Sequence, residues 1–138
     1  MARYCVDANA VLHWLFHAGF PLVDQFWAER TLDDEFISAP PLMGECTSVI
    51  RENVFYRRIR PEHGRELVGQ LIEMDIEVNL SLEQFPRALD LAERFQRLKA
   101  YDMQYLAVAE IEGGELVTAD RGMRYAAEAI GVPVRFLL

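Results

Sequence analysis

The sequence predicts an α/β domain with a mainly parallel sheet, on three observations. Short apolar segments alternate along the chain with longer stretches whose apolar residues recur at helical spacing, the pattern of buried strands joined by crossover helices. One stretch, Tyr101–Met123, contains the whole unit by itself: a buried helix, a Gly113-Gly114 stop, a short strand and the start of another helix. The 138 residues carry no internal repeat, no low-complexity segment and no linker, so residues 1–138 are expected to form a single domain.

The elements follow in order. Arg3–Val6 reads as a short buried strand ending at Asp7, and Asn9 as the N-cap of a helix that turns Val11, Leu12, Leu15 and Phe16 inward. A helix over Asp24–Arg30 precedes a strand at Glu35–Ser38. Pro41 suits the first turn of the next helix, which carries Leu42, Cys46, Val49 and Ile50 on its apolar side. Pro61 opens a helix to about Met74, and Ile76–Val78 makes a strand. Ser81 through Gln84 resembles a capping box before a helix through Leu98. The final units are the helix opened by Asp102, a strand at Glu115–Thr118, a helix from Asp120 to Ile130 capped by Gly131, and a last strand at Val132–Phe136.

Composition bounds the function. No apolar run approaches the ~20 residues that a membrane helix needs, and the N-terminal stretch reads as strand and helix rather than a signal peptide. Cys5 and Cys46 form no CxxC pair and sit in apolar runs, so buried thiols and a cytoplasmic setting are expected. The formal charge of −8 excludes a general nucleic-acid-binding surface, but the charge is uneven. Residues 1–50 hold seven acids against two arginines, whereas Arg51–Arg65 holds five arginines against two acids. His13 and His17 share a helix face without the glutamate of a zinc-protease motif and read as structural, and His63 as a surface residue.

The parallel topology draws four carboxylates together. Asp7 and Asp120 follow strands and so lie at the carboxyl edge of the sheet, where such folds place their crevice. Asp102 and Glu45 belong to helices that start near the same edge. Taken singly, each acid also has a bland explanation as a helix N-terminal charge. Taken jointly, four acids from four separated segments repel one another unless cations are present.

The pieces VDANAVL with Asp7, PPLMGE with Glu45, YDMQYLAVAE with Asp102 and LVTAD with Asp120 together resemble the PIN-domain superfamily, and within it the VapC-type toxin ribonucleases, over essentially the whole chain. The resemblance implies a three-layer α/β/α sandwich with about five mainly parallel strands. It also implies a Mg²⁺- or Mn²⁺-dependent endoribonuclease, a homodimer, and a small antitoxin partner in a type II toxin–antitoxin pair. On this resemblance Asp7, Glu45, Asp102 and Asp120 form the catalytic, metal-holding quartet, with Asn9 and Thr118 in support. Asn9 is an amide where many relatives have a hydroxyl.

Phosphodiester hydrolysis fits such a quartet, because a hard divalent ion on oxygen ligands activates water and offsets phosphate charge. Asp7 and Asp102 are expected to ligate directly, Glu45 and Asp120 through water or at a second ion, and Thr118 to hydrogen-bond a carboxylate or the attacking water. Arg51, Arg57, Arg58 and Arg60, with Arg65, are candidate RNA contacts, and Phe55 and Tyr56 offer stacking faces. The same arginines also suit a solvated turn or a protein contact. A receiver domain is excluded because Lys99 is the only lysine, and a haloacid-dehalogenase phosphatase because Asn9 stands where a second aspartate is needed. A non-catalytic PIN module that binds RNA or protein, and a PIN nuclease of RNA processing without an antitoxin, remain as alternatives.

Overall fold

The computed structural model describes residues 2–97 and 99–138. Five strands form one sheet: β1 (Arg3–Val6), β2 (Glu35–Ser38), β3 (Glu77–Val78), β4 (Glu115–Thr118) and β5 (Val134–Phe136), in the order β3-β2-β1-β4-β5. All four pairings are parallel. Seven helices connect them: α1 (Ala8–Leu15), α2 (Pro21–Ala28), α3 (Pro41–Phe55), α4 (Pro61–Glu73), α5 (Gln84–Arg94), α6 (Met103–Glu112) and α7 (Arg121–Ile130). Helix contacts fall into two groups, α1 with α2, α3 and α4, and α6 with α5 and α7. Right-handed crossovers require this division, since β1→β2→β3 runs one way across the sheet and β3→β4→β5 the other. The result is the expected sandwich. Among the described residues no helix is long and apolar enough to cross a membrane.

Strand interiors are closed to water. Cys5, Val6, Leu116 and Val117 are fully buried, as a sheet covered on both faces demands. Helix α6 is apolar nearly all round, with Met103 and Tyr105–Ala109 buried, because it lies between the sheet and the flanking α5 and α7. The fully buried Leu106 there contributes roughly 1.5–3 kcal/mol from burial. Gly113 and Gly131 end α6 and α7 in the left-handed region at φ 69° and 77°, where a side chain would be strained. On the α1–α2 side, Trp27 stacks on Phe36 and donates its indole N–H to the Ala10 carbonyl at 3.1 Å.

Several element boundaries differ from the sequence reading, each for a local reason. Asp7, not Asn9, caps α1: it is still extended at ψ 175°, and its carboxylate accepts the Ala10 N–H at 2.9 Å. Asn9 is an exposed residue inside the helix. Helix α2 starts three residues earlier than expected because Pro21 serves as its first helical residue. The capping box at Ser81 does not form. Glu83 is the cap residue, and the fully buried Gln84 turns its amide to the Asn79 carbonyl instead. Helix α5 ends at Arg94, followed by Gln96 at φ 53°; its expected end, Leu98, lies outside the described residues. Strands β3 and β5 start one and two residues late, at Glu77 and Val134.

Candidate functional site

The sheet order fixes where a site can form. β1 is flanked by β2 on one side and β4 on the other, so the connections diverge between β1 and β4 and open a crevice at their carboxyl ends. Asp7 emerges from β1 and Asp120 from just beyond β4, with the Asp7 N–H bonded to the Val117 carbonyl at 3.2 Å. Ser38, fully buried at the end of β2, donates to the Val6 carbonyl at 2.6 Å and so pins the neighbouring strand end.

Asp7, Asn9, Glu45, Asp102 and Asp120 line one cavity of about 60 Å³, together with Ala8, Tyr105 and Met123. Thus all four predicted acids and Asn9 come together, and Thr118 lies directly behind them. The Thr118 hydroxyl donates to Asp7 Oδ2 and accepts the Asp120 N–H at 3.0 Å, which ties the tips of β1 and β4 through a single side chain. Arg51, Arg57, Arg58 and Arg60 are not brought to this cavity. They line a separate 550 Å³ hollow at the end of α3 and the turn into α4.

The four carboxylates divide into two kinds. Asp7 and Asp120 are true helix caps; Asp120 Oδ1 accepts the Met123 N–H at 3.0 Å. Asp102 stands at the cap position of α6 yet accepts no helix N–H, and Glu45 lies beyond the first turn of α3. Capping therefore accounts for two of the acids and fails for the other two. Glu45 Oε1, Asp102 Oδ1 and the Tyr105 hydroxyl are buried with no hydrogen-bond partner. Tyr105 approaches Glu45 closely enough to moderate its charge but short of hydrogen-bond geometry. A buried anionic oxygen that no protein group pairs is costly, so these oxygens suit a polar or cationic partner.

The electrostatics agree. Burial raises the Asp7 pKa to about 6; the Thr118 hydroxyl and Ala10 N–H pull it down, and the charges of Asp120 and Glu45 push it further up. Burial, reinforced by Asp102, also raises Glu45. Burial and the nearby Glu45 and Asp7 hold the Cys46 thiol at about 12, so it stays neutral beneath the site. Among the described residues, the cation paired with these acids is Arg97, which the sequence reading did not single out. Arg97 donates from Nη1 to Asp102 Oδ2 at 3.3 Å, and its Nη2 lies 3.7 Å from Asp120 Oδ1. Nothing in the local sequence marks Arg97; only the turn after α5 swings it back toward the sheet edge.

Thr118 offers a direct check. Thr118→Val keeps the shape but removes the donor to Asp7, which will raise the Asp7 pKa further and destabilise the protein at pH 7 by about 1–3 kcal/mol. Urea denaturation at pH 7 and pH 4.5 reads this, with the smaller loss at the lower pH. Equal loss at both values would mean that the hydroxyl is not supporting a charge.

The donor set fits a hard divalent cation. Every polar group on the cavity is an oxygen or amide donor with no thiolate or imidazole, and a volume of about 60 Å³ admits an ion with a water beside it, a water occupying roughly 30 Å³. Among the described residues no three His, Cys, Asp or Glu side chains close into a preformed cage. Mg²⁺ does not need one, since it keeps several waters and takes only one or two carboxylates.

Comparison with known proteins identifies the fold and the family. Among curated proteins, none matches the sequence significantly. Solved structures do match in fold. VapBC2 from Rickettsia felis, bound to a DNA fragment from its promoter, aligns at TM-score 0.73 and 9% identity over 97% of this chain and 98% of its own. A toxin–antitoxin complex from Klebsiella pneumoniae aligns at 0.62 and 17% over 100% and 98%. VapC20 of Mycobacterium tuberculosis, a sarcin–ricin loop cleaving toxin, aligns at 0.63 and 16% over 89% and 94%. The family model of the PIN domain matches residues 4–129, a span that contains all four carboxylates, and the chain belongs to the PIN-domain family.

Proposed function

We propose that the protein is a divalent-metal-dependent endoribonuclease and the toxin of a type II toxin–antitoxin pair, with residues 1–138 forming one domain. The observation that carries the reading is the pair of unpartnered buried oxygens, Glu45 Oε1 and Asp102 Oδ1, facing a cavity whose other two acids are fixed as helix caps. Asp7 and Asp102 are the direct holders of Mg²⁺ or Mn²⁺, and Glu45 and Asp120 act through bound water. When bound, the ion lowers the pKa of a water and offsets charge on the phosphate. Thr118 fixes the orientation of Asp7, so that its Oδ1 stays on the helix N–H while the other oxygen is held from behind. Asp120 is held in turn by the Met123 N–H and lines the same cavity. The toxin assignment is supported by the similar structures, one a toxin–antitoxin complex and one a sarcin–ricin loop cleaving toxin. A small antitoxin partner, a homodimer and a cytoplasmic location accompany it.

The test is to treat total cellular RNA with purified protein and Mg²⁺ or Mn²⁺ and to map new 5′ ends. Discrete 5′-phosphate ends that vanish with chelator and fall at least about a hundredfold in Asp102→Asn are expected, since even groups that only orient metal ligands are worth 10–100-fold. Identical patterns from the two proteins would remove the nuclease reading and leave a binding module.

A further inference from the structure

We infer that the trough beside the carboxylate cavity, walled by Arg94, Phe95 and Arg97 on one side and by Gly122 and Tyr125 of α7 on the other, seats an unpaired nucleotide next to the phosphate that is cut. This rests on the nuclease reading and names where the substrate lies. The trough encloses about 590 Å³, within the roughly 300–1,000 Å³ of small-ligand sites. Asp120 lines both it and the carboxylate cavity, so a strand lying in the trough passes directly over the acids.

Its chemistry suits a nucleotide at both ends. Phe95 and Tyr125 meet edge to face, with ring centroids 6.2 Å apart at 84°, and Tyr125 is 68% exposed. The Arg94 guanidinium lies 5.2 Å from the Phe95 ring centre. Aromatic faces backed by an arginine plane are a stacking platform for a splayed-out base. At the other end, Arg97 spends one N–H on Asp102 and approaches Asp120, leaving further donors of its planar fork for a phosphate. An acidic peptide would engage the arginines but leave the ring faces unused, which favours RNA as the occupant.

Gly122 supplies an independent sign. It stands in the first turn of α7, and a Cβ there would lie 2.3 Å from Arg97 Nη2, 3.1 Å from its Cζ and 3.1 Å from Asp120 Oδ1. Glycine is unfavourable inside a helix, yet its φ is not positive, so backbone geometry does not require it. What it provides is the gap through which the guanidinium reaches the acids. The arginines of the α3–α4 turn line neither the trough nor the cavity.

The experiment measures fluorescence anisotropy of a fluorescein-labelled, mixed-sequence 12-nucleotide single-stranded RNA, with Ca²⁺ replacing Mg²⁺ so that the strand stays intact. Tyr125→Ala is expected to weaken binding about tenfold, the loss of one stacked base. Gly122→Ala, which favours the helix and displaces Arg97, is expected to weaken binding and cleavage while the melting temperature stays unchanged or rises. Binding of both variants at wild-type strength, with wild-type cleavage intact, would overturn the trough and leave the nuclease standing. Equal losses for a 12-base-pair duplex, or displacement of the RNA by poly-glutamate as readily as by unlabelled RNA, would reduce the trough to bare charge and overturn base recognition. Weakening only by Arg57→Ala with Arg58→Ala would move the strand to the α3–α4 turn. A wild-type protein that neither binds nor cuts RNA would remove both readings together.

Discussion

Stripped of metal, the Asp7→Asn protein will be more stable than wild type at pH 7.5, and it will not cut RNA. Asp7 titrates near 6 in the folded protein against an ordinary 3.8, because burial penalises its charge. Below 3.8 the carboxyl is protonated whether the chain is folded or not, and it costs nothing. Between the two values the unfolded chain releases its proton first, so stability falls as pH rises, and above about 6 the full penalty is in place. About two pKa units at ~1.4 kcal/mol each amount to roughly 3 kcal/mol at neutral pH. An asparagine is neutral throughout, keeps an oxygen for the Ala10 N–H and can donate to Thr118. Urea denaturation from pH 4 to pH 8 in the presence of chelator is the measurement. The gap between variant and wild type must open across pH 4–6 and then stay level; parallel curves would mean that Asp7 carries no buried charge.

Mg²⁺ or Mn²⁺ will reverse this penalty in the wild type. At a hundred times its dissociation constant a ligand stabilises by about 2.7 kcal/mol, which for a domain of this size is a rise in melting temperature of roughly ten degrees. The same titration will move Asp7→Asn and Asp102→Asn little. Asp102→Asn removes the charge from one of the two acids that present an unpartnered buried oxygen, and with it a direct holder of the ion. A wild-type melting temperature indifferent to both ions would sink the metal site while leaving the fold untouched. Arg97 sharpens the comparison. Its contacts to Asp102 and Asp120 give the metal-free protein an internal cation, so the ion's effect is measured against a partly compensated site.

The alternation of apolar strands with amphipathic helices made the fold legible before any coordinates, because sheet position and helix face are local consequences of hydrophobic pattern. Asp7 and Asp120 were legible for the same reason: each follows a strand in a parallel sheet. The meeting of Glu45 with Asp102 followed from topology, but their different status did not. That Asp7 and Asp120 are caps while Glu45 Oε1 and Asp102 Oδ1 lack partners depends on the orientation of single side chains. The misplacement of the α1 cap at Asn9 has a simple cause, since β1 hands over to α1 with no loop and one residue serves as both strand end and helix cap. The Ser81 box failed because burial of Gln84 outweighed a local hydrogen bond. Arg97 was illegible because no helical or strand periodicity aims it at Asp102, five positions on, and its second partner, Asp120, lies beyond another strand. The charge-rich run at Arg51–Arg60, conspicuous in the sequence, folds away from the acids.

The tie from Thr118 to Asp7 spans 111 positions of chain. During synthesis the first carboxylate emerges early, but β4, which must lie against β1 to complete the crevice, is made only after β1, β2, β3 and six of the helices. Contacts so distant in sequence form late and together. The carboxylate cluster therefore does not assemble piece by piece as the chain is made: a nascent chain still lacking β4 and α7 holds Asp7 without Thr118 or Asp120 and cannot complete the cavity.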